Sequence, residues 1–366
     1  MFSHPHSAIF GRVTHRPVPR PPHLAALAAV VGRVDCRLVA GPAWLAALVV
    51  AVFGGVNRRP AIRRARLAGL AAAVAVSACS TPAAAPATTT PAPPASAPAA
   101  DHGRKVLVIE EENHGYQEII GSPDAPYLNR LATTYGTATN LDAGYPPKCP
   151  SLASYILMTS GTTDGICDDK APKAHPLSGD NLFHQVAAAG REWRAYAEAA
   201  PQTCALKNQG RYLVRHVPAT YYLDERADCA RWTVPLDPAL PRDLAAGVLP
   251  AFSFVTPDAC NDMHGADGCT DGLVATGDRW LQAWLPRILA GPDYRAGRLL
   301  IVVTFDEGTS TDNHIPTIVI APTIHQVSAG QPFTHCATLR MMEDRLSLPP
   351  LGCAASAASM TTAFGL

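Results

Sequence analysis

The sequence predicts an α/β fold, a three-layer α/β/α sandwich with a mostly parallel central sheet. Three observations predict it. Short apolar runs alternate along residues 101–366 with segments of helical period. The runs are apolar throughout rather than every second residue, which marks strands covered on both faces. Polar clusters follow three of them, as at the rim where ligands bind an open α/β sheet.

In chain order, 105–110 (KVLVIE) is a buried strand. Residues 125–135 place Tyr127, Leu128 and Leu131 at helical spacing. A helix opens after Pro150 and runs over 151–159. Another covers 182–189 and stops at Gly190. Residues 251–256 (AFSFVT) are a strand, 273–289 a long amphipathic helix, and 299–305 (LLIVVTF) a fully apolar strand. A strand over 317–321 and a helix over 334–346 complete the reading.

The 366 residues carry 30 Lys+Arg and 30 Asp+Glu. That balance hides a division. The first hundred residues hold ten Arg, no Lys and one acidic residue, Asp35, whereas residues 101–366 hold 20 basic and 29 acidic residues. A basic leader ahead of an acidic body fits a targeting segment and an exported domain. An acidic body argues against a nucleic-acid partner. It leaves a phosphate substrate open, because bound cations invert the local sign.

Arg63, Arg64 and Arg66 precede an apolar run ending Val76-Ser77-Ala78-Cys79. Residues 61–79 therefore read as a signal peptide. The small residues before Cys79 resemble the lipobox of bacterial lipoproteins, which implies a lipidated Cys79 on the outer face of the cell membrane, or a secreted protein if Cys79 is not lipidated. Residues 80–100 are a Pro/Ala/Thr-rich tether. Residues 1–60 have no such role. They are expected to precede the true translation start, with Val56 a candidate, or to hold a membrane segment over 44–56, a stretch short for a span. Residues 101–366 form the folded body.

Cys36 and Cys79 lie in the leader. Cys149, Cys167, Cys204, Cys229, Cys260, Cys269, Cys336 and Cys353 lie in the body. An even number in an exported domain predicts disulfides. Nearest neighbours are expected to pair, above all Cys204–Cys229 and Cys260–Cys269, which flank short loops.

The strand-end clusters carry the chemistry. Glu112, Asn113 and His114 follow the first strand; Asp258, Asp262 and His264 follow the strand over 251–256; Asp306 and Glu307 follow the strand over 299–305. With Asn313-His314, these are carboxylate, amide and imidazole donors for divalent cations, and the imidazoles favour zinc or another transition metal. Ser151 stands at a helix N-terminus, where backbone N–H groups and the dipole favour an anion. Helix capping is an equally good reason for a serine there.

These motifs, in this order, resemble the phosphoesterase family of bacterial secreted acid phosphatases and phospholipases C, within the alkaline-phosphatase-like superfamily. Glu112-Asn113 resembles the family's Glu-Asn. Pro150-Ser151-Leu152 with Tyr155 resembles its His-Pro-Ser-x-Pro-Asn-Tyr. Arg215-His216-Val217-Pro218 with Tyr221 and Tyr222 resembles its basic-His-x-Pro-aromatic segment. Asn261-Asp262-Met263-His264, Asp306-Glu307, His314-Ile315-Pro316-Thr317 and the last helix, with Arg340, Glu343 and Asp344, complete the set. There are two departures. Cys149 replaces the histidine before Pro-Ser, and Ala153-Ser154 replaces Pro-Asn.

The resemblance implies Ser151 as nucleophile, forming a phosphoserine. It implies one or two divalent metals, one held by Glu112, Asn113, Asp306 and Glu307, with Asp262, His264 and His314 opposite, and His216 as phosphate ligand or acid for the leaving group. A phosphomonoester is the expected substrate, phosphoinositides included. A phospholipase C acting on phosphodiesters and a non-catalytic surface lipoprotein are the alternatives. A sulfatase would need Cys/Ser-x-Pro-x-Arg, which residues 149–153 do not supply.

Overall fold

A computed structural model describes residues 103–145, 148–270, 272–309 and 313–366. The leader, signal peptide and tether expected over 1–60, 61–79 and 80–100, Cys79 included, lie outside the described residues.

The chain enters through β1 (Lys105–Glu111), α1 (Tyr116–Ile119), α2 (Pro126–Thr134), β2 (Gly136–Ala138) and β3 (Leu141–Asp142). It continues through α3 (Leu152–Ser160), α4 (Leu182–Ala188), β4 (Trp193–Ala197), α5 (Cys229–Trp232), β5 (Thr233–Pro235) and α6 (Leu236–Ala246). Then come β6 (Phe252–Thr256), α7 (Leu273–Leu289), α8 (Pro292–Arg295), β7 (Leu299–Phe305), β8 (Thr317–Ile320), β9 (Val327–Ala329), β10 (Phe333–Thr334), α9 (His335–Leu346) and α10 (Met360–Phe364).

Eight strands form one sheet in the order β5-β4-β6-β1-β7-β8-β2-β9. All neighbours are parallel except around β8, which runs antiparallel to β7 and β2. The mostly parallel sheet is as expected, and the reversal has a local cause. Among the described residues between Phe305 and Thr317 there is no crossover helix, and a short return to the adjacent position reverses direction. Every residue of β7 is buried, as is β1 from Val106 onward, so helices cover both faces. Helices α3, α4, α9 and α10 make one layer, and α2, α6, α7 and α8 the other. The apolar side chains of β1 and β7 are each worth about 1.5–3 kcal/mol of burial.

The edge is less legible than the centre. Strand β4 carries Arg194 mid-strand, neutralised by Asp243, which also accepts from Tyr196 Oη at 2.8 Å. Helix α6 contains Pro238 and Pro241, which argue against a helix in the sequence, yet it forms with an interruption at Asp237.

Two glycines allow close approaches that shape the site. Gly161 ends α3 in the left-handed region at φ +74°, and a Cβ there would lie 2.4 Å from the Leu351 carbonyl oxygen. Gly277 lies inside α7, where a Cβ would come within 2.5 Å of Met263 Cε. Its absence lets the loop bearing Asp262 and His264 seat on α7. Disulfides join Cys149–Cys167, Cys204–Cys229, Cys260–Cys269 and Cys336–Cys353, the nearest-neighbour pattern expected. Among the described residues no helix is long and apolar enough to cross a membrane.

Candidate active site

Strands β6, β1 and β7 are adjacent and parallel, so their carboxyl ends share one edge. That places Glu112, the loop with Asp262 and His264, and Asp306-Glu307 on a common rim. The first turn of α3 reaches the same rim.

Ser151 is 2% exposed, and its side chain makes no capping bond to α3. Its Oγ instead donates to Glu112 Oε2 at 2.9 Å. One helical turn on, on the same face, Tyr155 Oη donates to Glu112 Oε1 at 2.6 Å. His216 Nε2 lies 3.0 Å from Glu112 Oε1, and its Nδ1 lies 3.0 Å from Asp262 Oδ2. The Tyr155 and His216 rings are stacked, with centroids 5.3 Å apart. Asp262 Oδ1 accepts the His264 amide at 2.8 Å. His264 Nδ1 sits 2.7 Å from the Gly265 carbonyl, which can only accept, so the proton is on Nδ1 and Nε2 is bare. Arg215 Nη2 donates to that Nε2 at 2.9 Å.

Asn113 takes a left-handed backbone, φ +49°. This turn lets its amide donate to Asp306 Oδ1 at 3.0 Å while its side chain donates to Glu112 Oε2 at 2.9 Å. The Asp306 carbonyl is fixed by Ser154 Oγ and His335 Nε2, both at 2.8 Å. Glu307 Oε2 accepts Tyr145 Oη at 2.9 Å.

The charges are coupled. Burial would raise Glu112, but the charge and hydrogen bond of His216 reverse that, with the Tyr155 hydrogen bond assisting, and hold it at about 2. Burial opposes the His216 cation, yet Glu112 and Asp262 lift it to about 9. Asp262 is pushed to about 6, mainly by burial. Asp306 stands well above the usual carboxylate range through burial and the charges of Glu112 and Glu307. Burial and Glu112 push Glu307 to about 7, against the Tyr145 hydrogen bond.

These residues suit a divalent cation. Asp306 Oδ2 is buried and has no hydrogen-bond partner. Donor atoms of Glu112, His216 and His264 all lie within 4.8 Å of one another, a trio with two members buried and His264 half-buried that could hold a metal. The grouping differs from the expected one in two respects. His216, expected to face substrate, is fully buried with both ring nitrogens on carboxylates. The His314 imidazole has Nε2 3.1 Å from the Thr139 carbonyl and its ring stacked on Tyr116 at 4.5 Å.

Three contributors escaped the sequence reading: Tyr145, the orienting role of Tyr155, and Asp169. Asp169 Oδ1 accepts the Leu152 amide at 3.1 Å. Its one signal was Cys167, two residues before it, disulfide-linked to Cys149. A groove of about 460 Å³, lined by His114, Asp124, Gly265, Ala266, Leu273 and Val274 among others, opens where the loop leaves His264 at Gly265.

A buried serine and a cluster of carboxylates and imidazoles, on the rim of a parallel sheet, define the class: a hydrolase of α/β architecture. Its esters are phosphoric, because the chain belongs to the phosphoesterase family, whose profile matches residues 122–349. The phosphatidylinositol-3-phosphatase of Mycobacterium tuberculosis is 29% identical over 262 residues, covering 71% of this chain and 82% of that protein. An acid phosphatase of Aspergillus fumigatus is 26% identical over 218 residues, 56% of this chain and 47% of that protein, so the chain spans about half of that relative's length. A solved structure from the glycosaminoglycan-metabolism locus of Bacteroides thetaiotaomicron superposes with a TM-score of 0.51 at 11% identity, covering 72% of this chain and 82% of that one. That likeness concerns the fold alone.

Proposed function

We propose that this chain is an exported phosphomonoesterase in which Ser151 is the nucleophile, with a divalent metal assisting and phosphorylated lipid headgroups such as phosphoinositides as substrates. One observation carries the reading: Ser151 Oγ turns away from the cap position of its own helix and onto Glu112. A serine needed only for capping would bond the N–H groups of α3.

Glu112, Asn113, Asp306 and Glu307 would hold the cation; His216 and His264 would join Glu112 as a second donor set on giving up their contacts to Asp262 and Arg215. Such a cation, when bound, lowers the pKa of an oxygen it touches and offsets the charge of an anionic ester. The orphaned Asp306 Oδ2 and the mutual repulsion of Glu112, Asp306 and Glu307 support this assignment. The imidazoles favour zinc or another transition metal.

The chain's own residues do the rest. Glu112, held at about 2, is too weak a base to take the serine proton and acts as its orienting acceptor. Tyr155 and His216 fix that carboxylate. Ser151 gives its proton to solvent water, an Oγ–P bond forms as the ester P–O bond breaks, and the departing alkoxide takes a proton back from that water. Water then attacks the phosphoserine and restores the hydroxyl. The groove that opens at Gly265 has room for the leaving alcohol. The lipid headgroup follows from the relative named for phosphatidylinositol 3-phosphate. Four disulfides fit an oxidising compartment, and a lipidated Cys79 would hold the body near such substrates.

The test is a panel of chromogenic phosphate monoesters, phosphodiesters, phosphoinositides and phosphatidylcholine, with and without chelator, with metal content by mass spectrometry. Monoester turnover that falls with the metal supports the reading. Turnover of diesters alone would move the chain to the phospholipase C side.

A further inference from the structure

The segment after Cys167 does something that the serine and the metal donors do not explain. Asp169 bridges two groups. Its Oδ1 accepts the amide of Leu152, the residue after the nucleophile, at 3.1 Å, and its Oδ2 pairs with Arg215 Nε at 3.2 Å. That amide belongs to the first turn of α3, whose helix is nine residues long. The guanidinium is 12% exposed and reaches on to His264 Nε2 at 2.9 Å. It therefore lies between Asp169 and the Glu112–His216–His264 trio. A backbone N–H at a helix N-terminus and a guanidinium, bridged by one carboxylate, are the donor pair that a tetrahedral oxyanion also bridges.

The disulfide fixes this arrangement. Cys149 precedes Ser151 by two residues and Cys167 precedes Asp169 by two, so the bond ties the nucleophile's segment to the carboxylate's. Cys149 is also where the sequence departs from the family motif by lacking a histidine. Arg215 fills the basic position of the basic-His-x-Pro segment and brings a permanent positive charge to this rim.

Resting on the phosphatase reading above, we propose that Arg215 grips the phosphoryl group of the substrate and that Asp169 is its placeholder. In this structure the carboxylate sits on the two donors that the phosphoryl oxygens take during turnover. Asp169 gives up both as substrate binds, and the Cys149–Cys167 bond keeps it close enough to return. Asp169 is thus a built-in competitor that limits affinity for the phosphate product.

The experiment measures inhibition of the full-length protein by inorganic phosphate against a chromogenic monoester, with phosphate binding followed by calorimetry. It compares wild type, Arg215→Ala, Arg215→Lys and Asp169→Asn. Arg215→Ala is expected to weaken phosphate at least about tenfold and to raise KM. Arg215→Lys keeps a charge beside Asp169 but loses the planar fork, and is expected to weaken phosphate roughly threefold; it carries the test if the alanine variant does not fold. Asp169→Asn can still accept the Leu152 amide but no longer competes as an anion, so phosphate should bind at least about threefold more tightly. An Asp169 that is only a cap predicts no change in phosphate affinity, and that result, or weakened binding, overturns the proposal. So does an Arg215 pair of variants with wild-type phosphate inhibition. A wild-type protein that neither turns over monoesters nor binds phosphate overturns the phosphatase reading itself.

Discussion

Replacing His216 by glutamine tests the electrostatics on which the site depends. His216 is buried between Glu112 and Asp262, at 3.0 Å from each. Glu112 falls from an ordinary 4.5 to about 2, and His216 rises from 6.5 to about 9, despite burial that acts against both charges. At ~1.4 kcal/mol per pH unit the Glu112 change is worth roughly 3–4 kcal/mol. Breaking a buried ion pair by removing one partner costs about 3–5 kcal/mol, so the two figures agree. The sign follows from the directions. A lowered carboxylate stabilises the fold above its unfolded pKa and loses that as pH falls toward 2. A raised imidazole stabilises below its unfolded pKa and loses that as pH rises through 9. The wild-type advantage is therefore largest between about pH 5 and 6.5. Urea unfolding of the chelator-treated protein across pH measures it. A His216→Gln protein as stable as wild type at pH 6, or a deficit that stays constant above pH 9, would refute the coupling.

Other consequences follow from single contacts. Glu343 is buried with Oε1 on the Leu351 amide and Oε2 unpartnered, and burial pushes it to about 8. Its neutral form is favoured in the fold, so stability falls as pH rises from about 4.5 to 8, and Glu343→Gln should raise the melting temperature at pH 8 but not at pH 4. Gly161→Ala sets a Cβ against the Leu351 carbonyl at a left-handed φ, and should cost about 2 kcal/mol or more in denaturant unfolding. Tyr155→Phe removes the 2.6 Å bond to Glu112 and leaves the ring stack, so kcat should fall roughly tenfold or more while the melting temperature changes little.

The parts of the site written in the sequence are those on the central strands. β1, β6 and β7 are uninterrupted apolar runs followed at once by Glu112, Asp262 with His264, and Asp306, and parallel neighbours place such ends together. Nearest-neighbour cysteine pairing was legible for the same local reason, since each bond closes a short loop. Orientation was not legible. His314 lies beside Asn313 in a motif that suggests a ligand, but stacking on Tyr116 and the Thr139 carbonyl engage its ring. Whether Ser151 caps or attacks depends on one side-chain rotation, which spacing leaves open. Strand β4 and helix α6 were hidden by an arginine and two prolines whose costs are met by Asp243 and by the break at Asp237. The reversal at β8 follows from the short span between Phe305 and Thr317, too short for a crossover, and shows as topology and not as residue pattern.

The central claim is a covalent intermediate on Ser151, and acid-quenched turnover with peptide mass spectrometry tests it most directly. The account predicts a phosphate on the peptide carrying Ser151 during turnover of a monoester. It also predicts that Ser151→Ala lowers kcat by roughly 10³-fold or more with an unchanged unfolding curve. Turnover without any phosphorylated Ser151 peptide, together with a Ser151→Ala protein that keeps wild-type activity, would contradict it.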